Sequence, residues 1–392
     1  MAKSKINGSC PRGGVRAFVR PSKMALLFAI ILTLVNPVSA KVTGDCSNCH
    51  TMHNSQNDAS MQFDSGTALQ PNLLRSDCLG CHGQGGSVKI LEVNGSQIPQ
   101  VMHADGSGDL AAGNFAYITG MKGDASESHG HNVVDLGEAF REQTLSHVLP
   151  GGIRKAFHED YIVNASNLTC AGANGCHGYR NYLGPSGAPA MSGAHHGNVD
   201  GRLDVADRVE NSYRFLVGVK GYENQVDRWQ NVNAESHNEY YAATTPMTLE
   251  LCTTCHNGPR GSIAPESQTI SGFCATCHGN FHTLSTGASD GIGSDIGSAF
   301  IRHPSDIVLP NRGEYQHYTS YSVEAPVGRT TIPNSPSSIV TPGADVVTCL
   351  SCHMAHASPY PDMLRWDYNS MNAHSSGDVN TGCFTCHTSK DD

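Results

Sequence analysis

The sequence has 392 residues, of which 15 are cysteine and 21 are histidine, while hydrophobic residues make up only 38%. A typical globular chain is roughly 45–50% apolar, so aliphatic side chains are too scarce to fill two ordinary domains. The formal net charge of −10 disfavours nucleic acid as a partner, and a single short apolar run excludes a polytopic membrane protein.

The first 40 residues have the pattern of a signal peptide. They contain six basic residues and no acidic one, and the apolar run at 24–35 is followed by Val38-Ser39-Ala40, a signal-peptidase site. We predict a Sec signal peptide over 1–40 and a mature domain over 41–392. The apolar run is shorter than the roughly 20 residues that a membrane helix needs, so no membrane span is expected after cleavage. The alternatives are a membrane anchor or a buried helix.

Six C-x-x-C-H motifs follow along the mature chain. They are Cys46, Cys49 and His50; Cys78, Cys81 and His82; Cys252, Cys255 and His256; Cys274, Cys277 and His278; Cys349, Cys352 and His353; and Cys383, Cys386 and His387. This pattern is the attachment signature of c-type haem, in which two thiols bind the vinyl groups and the histidine binds the iron. A disulfide scaffold or zinc sites would also use paired cysteines, but neither requires a histidine after every pair.

A seventh motif lies between the second and third regular ones. Cys170, Cys176 and His177 enclose five intervening residues instead of two, and the glycines at 172 and 175 permit the bulge that this spacing requires. The alternative is a disulfide with a spare histidine. Cys10 would leave with the signal peptide, so no mature cysteine is left over, and we predict seven covalently bound haem c groups.

The histidine count allows each iron a second imidazole, because fourteen histidines lie outside the seven motifs. Two imidazoles keep iron six-coordinate, which favours low-potential electron transfer. A histidine three or four positions after a motif histidine cannot reach the same iron from the opposite face, so we expect it to bind an adjacent haem. The predicted distal ligands are His53, His131, His196, His237, His282, His303 and His356. His195 remains an alternative to His196, and the reserves are His103, His129, His147, His158, His317 and His374.

Regular structure is expected to be sparse. We predict short helices at the motifs, a hairpin over 88–101 with Asn94-Gly95 as its turn, a strand over 212–219 and an extended loop over the proline-rich 325–343. The predicted fold class is mostly irregular and α with few short strands. It is organised around a chain of stacked haems, whose faces replace much of the apolar core.

Four stretches of the mature chain carry a family resemblance. They are CSNCHTMHNSQ at 46–56, GHNV at 130–133, RHPSDI at 302–307 and CLSCHMAHASPYPDMLRWDY at 349–368. The chain resembles the multihaem c-type cytochromes of metal-reducing bacteria such as Geobacter, which carry doubled CXXCH motifs. The resemblance implies low-potential bis-histidine haems that form an electron wire in the periplasm or at the cell surface. It also implies that His53, His131, His303 and His356 are ligands, whereas the widened third motif departs from the pattern.

Three functions compete. The first is an electron carrier without its own substrate, and the expected partners are other redox proteins or extracellular metal acceptors. The second is a reductase of nitrite, hydroxylamine or a sulfur oxyanion, which would need an open iron with polar groups such as His129, His158 or Tyr161 nearby. The third is a homopolymer subunit of a cytochrome filament, since some relatives polymerise. We predict the electron carrier, exported to the periplasm or the outer surface, and no enzyme activity.

Overall fold

The computed structural model describes residues 45–52, 55–56, 59–60, 73–140, 150–151, 167–172, 174–177, 218–222, 226–248, 269–284, 302–373 and 381–388. Contacts within the chain separate Met1–Ser39 from Ala40–Asp392, and every described residue belongs to the second unit. The predicted signal peptide lies outside the described residues and stays a prediction.

Helices are short, and each of the five regular motifs in the described residues overlaps one of them. The α-helices are α1 (Leu79–His82), α2 (Ala116–Thr119) and α3 (Ile270–Ala275). The 3₁₀ turns are Cys46–Asn48, Glu127–His129, Val134–Leu136, Glu138–Phe140, Gly279–Phe281, Gly313–His317, Cys349–Ser351, Pro361–Met363, Tyr368–Ser370 and Gly382–Thr385. Within the described residues, no helix has the length and apolar character needed to cross a membrane.

The strands are also short. They are β1 (Ser55–Gln56), β2 (Ala59–Ser60), β3 (Ile90–Val93), β4 (Ser96–Pro99), β5 (Thr169–Ala171), β6 (Gly175–His177), β7 (Val219–Gly221), β8 (Asn238–Tyr241), β9 (Met247–Thr248), β10 (Thr283–Leu284), β11 (Ile307–Val308), β12 (Gly328–Arg329) and β13 (Val346–Val347). The predicted mostly irregular fold with short helices and few short strands is therefore confirmed.

The predicted hairpin and loop are confirmed as well. β3 and β4 pair antiparallel, and Asn94 and Gly95 turn between them with φ values of 46° and 85°, as a two-residue hairpin turn requires. The proline-rich 325–343 is extended, with β12 as its only strand. Of the strand predicted over 212–219, only 218–219 are described, and Val219 begins β7.

A five-stranded sheet forms in the order β11-β13-β12-β8-β7, which the sequence did not predict. Its pairs are antiparallel except β12 with β8. Beside it a hydrophobic cluster consists of Leu309, Tyr318, Tyr321, Val327, Val340 and Val347, and Cys386 of the seventh motif packs against this cluster. A second cluster consists of Phe115, Ile118, Val133 and Ala357, with Cys170 of the third motif against it. The apolar core thus lies directly against cysteines of the motifs.

Candidate haem-binding sites

The five regular motifs in the described part of the chain share one backbone turn. In each motif the amide of the histidine donates to the carbonyl of the first cysteine over 2.8 to 3.1 Å, and the amide of the second cysteine donates to the same carbonyl over 3.1 to 3.3 Å. Residues three and four positions apart on such a turn lie on one face. Both thiols and the imidazole are therefore presented together, as thioether attachment to one haem requires.

The fifth motif shows how the end of a helix forms this turn. Cys274 lies in the last turn of α3, and its carbonyl accepts from the amide of Cys277 over 3.1 Å and from the amide of His278 over 2.9 Å. Cys277 itself lies beyond the end of the helix and is partly exposed. The turn therefore supports the prediction that Cys274 and Cys277 attach one haem, with His278 as its proximal ligand, and the assignment stays a prediction.

Local side chains stabilise two of these turns. Thr269 caps α3 by accepting a hydrogen bond from the amide of Gly272 over 3.0 Å, and Thr348 forms a capping box with Ser351 at the sixth motif. The Ser271 hydroxyl also accepts from the amide of Cys349 over 3.2 Å, which joins the fifth motif to the sixth.

The widened third motif replaces the turn with a bulge between β5 and β6, as its spacing predicts. The Gly172 amide donates to the carbonyl of His177, and the Gly175 amide donates to the carbonyl of Gly172. Gly172 has a φ of 96°, and a Cβ on Gly175 would lie 2.6 Å from the backbone of Ala171. Glycine at both positions lets Cys170, Cys176 and His177 stay close despite the three extra residues.

Backbone carbonyls fix the ring orientation of most described ligand candidates. The Nδ1 atoms donate to Pro99 (His82, 2.9 Å), Pro150 (His278, 2.6 Å), Asp362 (His353, 2.7 Å), Ala355 (His131, 2.8 Å) and Pro304 (His303, 3.1 Å). In His387, Nδ1 contacts the Glu314 carboxylate at 3.2 Å. Because these acceptors hold the proton on Nδ1, the lone pair remains on Nε2, which is the arrangement of a metal-binding histidine.

The environment also favours the neutral form of five described ligand candidates. Burial, reinforced by the nearby His278, lowers the pKa of His131 to about 4. Burial, reinforced by the neighbouring His177 and His131, lowers the pKa of His356 to about 3. Burial lowers the pKa values of His82, His278 and His353 as well. A neutral imidazole is the form that binds a metal.

Three pairs of imidazole rings have the separation of two axial ligands. The ring centres are 6.2 Å apart in His177–His356, 6.1 Å in His131–His278 and 6.3 Å in His303–His387. Imidazole nitrogens bind metals at about 2 Å, so two nitrogens on opposite sides of one metal lie about 4 Å apart and their ring centres about 6 Å apart. Each pair joins a motif histidine to a predicted distal histidine, and the residues fit a six-coordinate haem iron.

His237 and His282 are in different surroundings. His237 is fully buried, with Nδ1 3.2 Å from the Asn233 carbonyl and Nε2 3.2 Å from the Glu239 carboxylate. In His282, Nε2 lies 2.9 Å from the Asp306 carboxylate, while Nδ1 is buried without a hydrogen-bond partner. To bind iron through Nε2, either histidine would have to give up the contact between that nitrogen and its carboxylate. Both assignments stay predictions.

The cysteines of successive motifs approach one another. Three pairs of cysteines lie close enough to affect each other's ionisation, namely Cys49 with Cys81, Cys78 with Cys170 and Cys274 with Cys349. Cys176 lies close enough to Cys274 to affect its ionisation electrostatically, and Cys352 is similarly close to Cys383 and Cys386. The described motifs therefore form a continuous line in the order one, two, three, five, six and seven.

Several predicted residues lie outside the described part of the chain. These are Cys252, Cys255 and His256 of the fourth motif, the distal candidates His53 and His196, the alternative His195, the reserves His147, His158 and His374, and Tyr161.

Comparison with known proteins agrees with the motifs. The family model of the doubled CXXCH motif matches residues 342–392. The chain is 26% identical over 363 residues to the C-type cytochrome OmcS of Geobacter sulfurreducens, which covers 82% of this chain and 78% of that protein. The chain therefore carries the doubled CXXCH motif and is similar over most of its length to a c-type cytochrome of Geobacter. The doubled CXXCH motif supports covalently bound haem c as the cofactor of the chain.

Two solved structures are also similar to the chain. The Outer Membrane Cytochrome S filament from Geobacter sulfurreducens is 19% identical, with 90% of this chain and 93% of that chain covered and a TM-score of 0.43. A cryo-EM structure of OmcS nanowires from the same organism is 18% identical, with 90% and 91% covered and a TM-score of 0.44.

Sequence reasoning missed two kinds of residue at the candidate haem-binding sites. The first is the set of backbone carbonyls that orient the histidines, which have no side-chain signature. The second is Asp135, whose carboxylate lies within 4.8 Å of the sulfur atoms of Cys78 and Cys170. It accepts hydrogen bonds from the Thr169 hydroxyl over 2.8 Å and from the Cys170 amide over 3.2 Å. Because Asp135 is 35 positions from Cys170, no local pattern singles it out.

Proposed function

We propose that the mature chain carries electrons along seven bis-histidine haems c, one at each predicted motif including the widened third. When bound, each haem supplies a one-electron Fe(III)/Fe(II) couple, which two imidazole ligands keep at low potential. The observation that carries the proposal is the set of three imidazole pairs with ring centres 6.1 to 6.3 Å apart. An imidazole on both sides leaves the metal no open position for a substrate, which favours electron transfer over oxyanion reduction.

The ring pairs support a specific ligand assignment. His177 and His356 would hold the third haem, His278 and His131 the fifth, and His387 and His303 the seventh. In each pair, the second histidine comes from a distant part of the sequence, so haem binding would join separate segments of the chain. The remaining predicted ligands are His50, His82, His256 and His353 as proximal and His53, His196, His237 and His282 as distal.

The line of cysteine contacts supports a role as a conductor between two ends of one protein. Motifs one and seven stand at the ends of the described line, so electrons would enter near one of them and leave near the other. We propose export by the Sec pathway to the periplasm or outer surface, where other cytochromes or extracellular metal acceptors are the partners. Assembly into a homopolymer stays a prediction, for which electron microscopy of the concentrated protein is the test.

The decisive experiment is to produce the protein in a host that attaches haem c and to measure its intact mass together with its magnetic circular dichroism. The expected mass is that of residues 41–392 plus seven haems, and the expected near-infrared bands are those of bis-histidine low-spin iron only. A stably five-coordinate iron would contradict the carrier and favour the reductase. A mass corresponding to six haems or fewer would contradict attachment at every motif.

A further inference from the structure

Two motifs lie in a structural unit that occurs twice in the described chain. Repeat A consists of 46–51 with 73–75, and repeat B consists of 349–354 with 363–365. In repeat A, His50 forms a β-bridge with Leu74, and in repeat B, His353 forms the same bridge with Leu364. The next residue donates its amide to the equivalent carbonyl in both, over 2.7 Å in repeat A and 2.8 Å in repeat B. The acceptors, Leu73 and Met363, both have a φ of 58°.

Each repeat ends in an arginine that is held against its own motif. Arg75 donates its amide to the carbonyl of Cys49, and Arg365 donates its amide to the carbonyl of Cys352, both over 2.9 Å. The guanidinium groups bind the same turns: Arg75 Nη1 donates to the carbonyl of Asn48 over 3.4 Å, and Arg365 Nε donates to that of Leu350 over 2.8 Å. A permanent positive charge is thus fixed beside the cysteine pair of motif one and of motif six.

The two arginines lie close enough to the cysteine pairs of their motifs to act on them electrostatically. Arg365 is half-buried, and its described hydrogen bonds go to backbone carbonyls, which leave its positive charge in place.

The third motif has the opposite charge beside it. Asp135 lies within 4.8 Å of the Cys170 sulfur and is fixed by the Thr169 hydroxyl and the Cys170 amide. Burial of a charge beside a redox group weakens solvent screening, so its sign changes the balance between the oxidised and reduced states. A cation favours the reduced, less positive iron, and a carboxylate favours the oxidised iron.

We propose that Arg75 and Arg365 are equivalent potential-setting residues, which raise the reduction potentials of the haems at motifs one and six above that of the haem at motif three beside Asp135. This inference rests on the proposed attachment of haem at these three motifs. The consequence is an uneven line, in which electrons reside preferentially at motifs one and six rather than at motif three.

The test compares the full mature holoprotein with Arg75→Gln, Arg365→Gln, Arg75→Lys, Arg365→Lys and Asp135→Asn. Each is titrated by spectroelectrochemistry, and its intact mass gives the haem number. In each glutamine variant, one component should become about tenfold harder to reduce at fixed potential, which is about 59 mV for one electron. The lysine variants should keep the component near its original potential, because lysine keeps the charge but loses the guanidinium fork. Asp135→Asn should move a component in the opposite direction.

Equal shifts in the lysine and glutamine variants of both arginines would overturn the proposal, because loss of packing would then explain them. Unchanged potentials in both glutamine variants would do the same. If both glutamine variants lost haem while both lysine variants kept it, the arginines would serve attachment and the proposal would also fail. Absence of haem from motif one, three or six in the unsubstituted protein would instead refute the proposed function, and peptide mass mapping distinguishes this outcome.

Discussion

At the scale of single residues, the neighbours of each ring nitrogen decide what a histidine can do. His131 has its Nδ1 proton directed at a carbonyl and keeps the Nε2 lone pair. His103 is buried too but has the reverse arrangement: its Nδ1 accepts from the Asp105 amide over 3.2 Å, and Nε2 points towards Asp109 at 3.9 Å. The sequence shows both residues only as histidines, so it could count ligand candidates but could not separate a ligand from a structural histidine.

The ring pairs predict the effect of His356→Ala. The substitution should open the iron held by His177, and not the iron of the sixth motif three positions earlier, because the His356 ring lies 6.2 Å from that of His177. One of the low-spin haems should become high-spin in electron paramagnetic resonance, with the haem number unchanged. In a Cys170→Ala/Cys176→Ala background, which lacks the third haem, His356→Ala should add no high-spin signal. His317→Ala, at an exposed histidine, is the control. It should leave the electron paramagnetic resonance spectrum unchanged in both the unsubstituted protein and the Cys170→Ala/Cys176→Ala background.

At the scale of elements, two ligands depend on a crossing of three irregular segments. The amide of His356 donates to the carbonyl of Ala112 over 2.7 Å, and the amide of His131 donates to the carbonyl of His356 over 3.0 Å. Gly113 and Gly130 both form β-bridges with Ala357 at this crossing. The segment that carries His356 therefore contacts both of the others, and these contacts position the two distal histidines. Small residues are needed where the backbones meet.

Gly113→Ala should disrupt this crossing. The added Cβ would lie 1.9 Å from the carbonyl oxygen of Ala357, and Gly113 has a φ of 95°, so both a clash and backbone strain are introduced. The free energy of unfolding should fall by about 3 kcal/mol or more, and the low-spin signals of the third and fifth haems should weaken together. Gly108→Ala is the matched control, since Gly108 has a φ of 107° but open space around it. A similar loss in both variants would show that strain alone matters.

The five-stranded sheet is fixed by a buried ionic network. Arg329 donates through Nε to Glu239 over 2.8 Å and through Nη1 to Asp345 over 2.7 Å, and all three side chains are buried. Arg329→Ala would leave two buried carboxylates without their cation, so the free energy of unfolding should fall by about 3–5 kcal/mol. Denaturant unfolding measures this loss, and Arg312→Ala at an exposed arginine is the control. A loss below about 1 kcal/mol would mean that water reaches the network.

At the scale of the whole molecule, the sequence predicts chemistry better than architecture. Six regular motifs predict haem attachment because the spacing of the two thiols and the histidine is what attachment requires. Asn94-Gly95 predicts a hairpin because few other residues adopt its turn. The two repeats were not predicted, because loops of different length, 52–72 and 355–362, separate their matching parts. The ligand pairs were not predicted either, because each joins segments that only the folded chain brings together.

The linear order of the motifs predicts what happens when the haem at a middle motif is removed. The third motif stands between the second and the fifth, through the contacts of Cys170 with Cys78 and of Cys176 with Cys274. In Cys170→Ala/Cys176→Ala, the first two haems should exchange electrons slowly with the others, so stopped-flow reduction by dithionite should become biphasic. Removing the seventh haem with Cys383→Ala/Cys386→Ala deletes an end and should leave a single phase. If both double variants were reduced in the same way as the unsubstituted protein, the linear order would be wrong. A second electron path, such as one through the fourth motif, would then join the first two haems to the others.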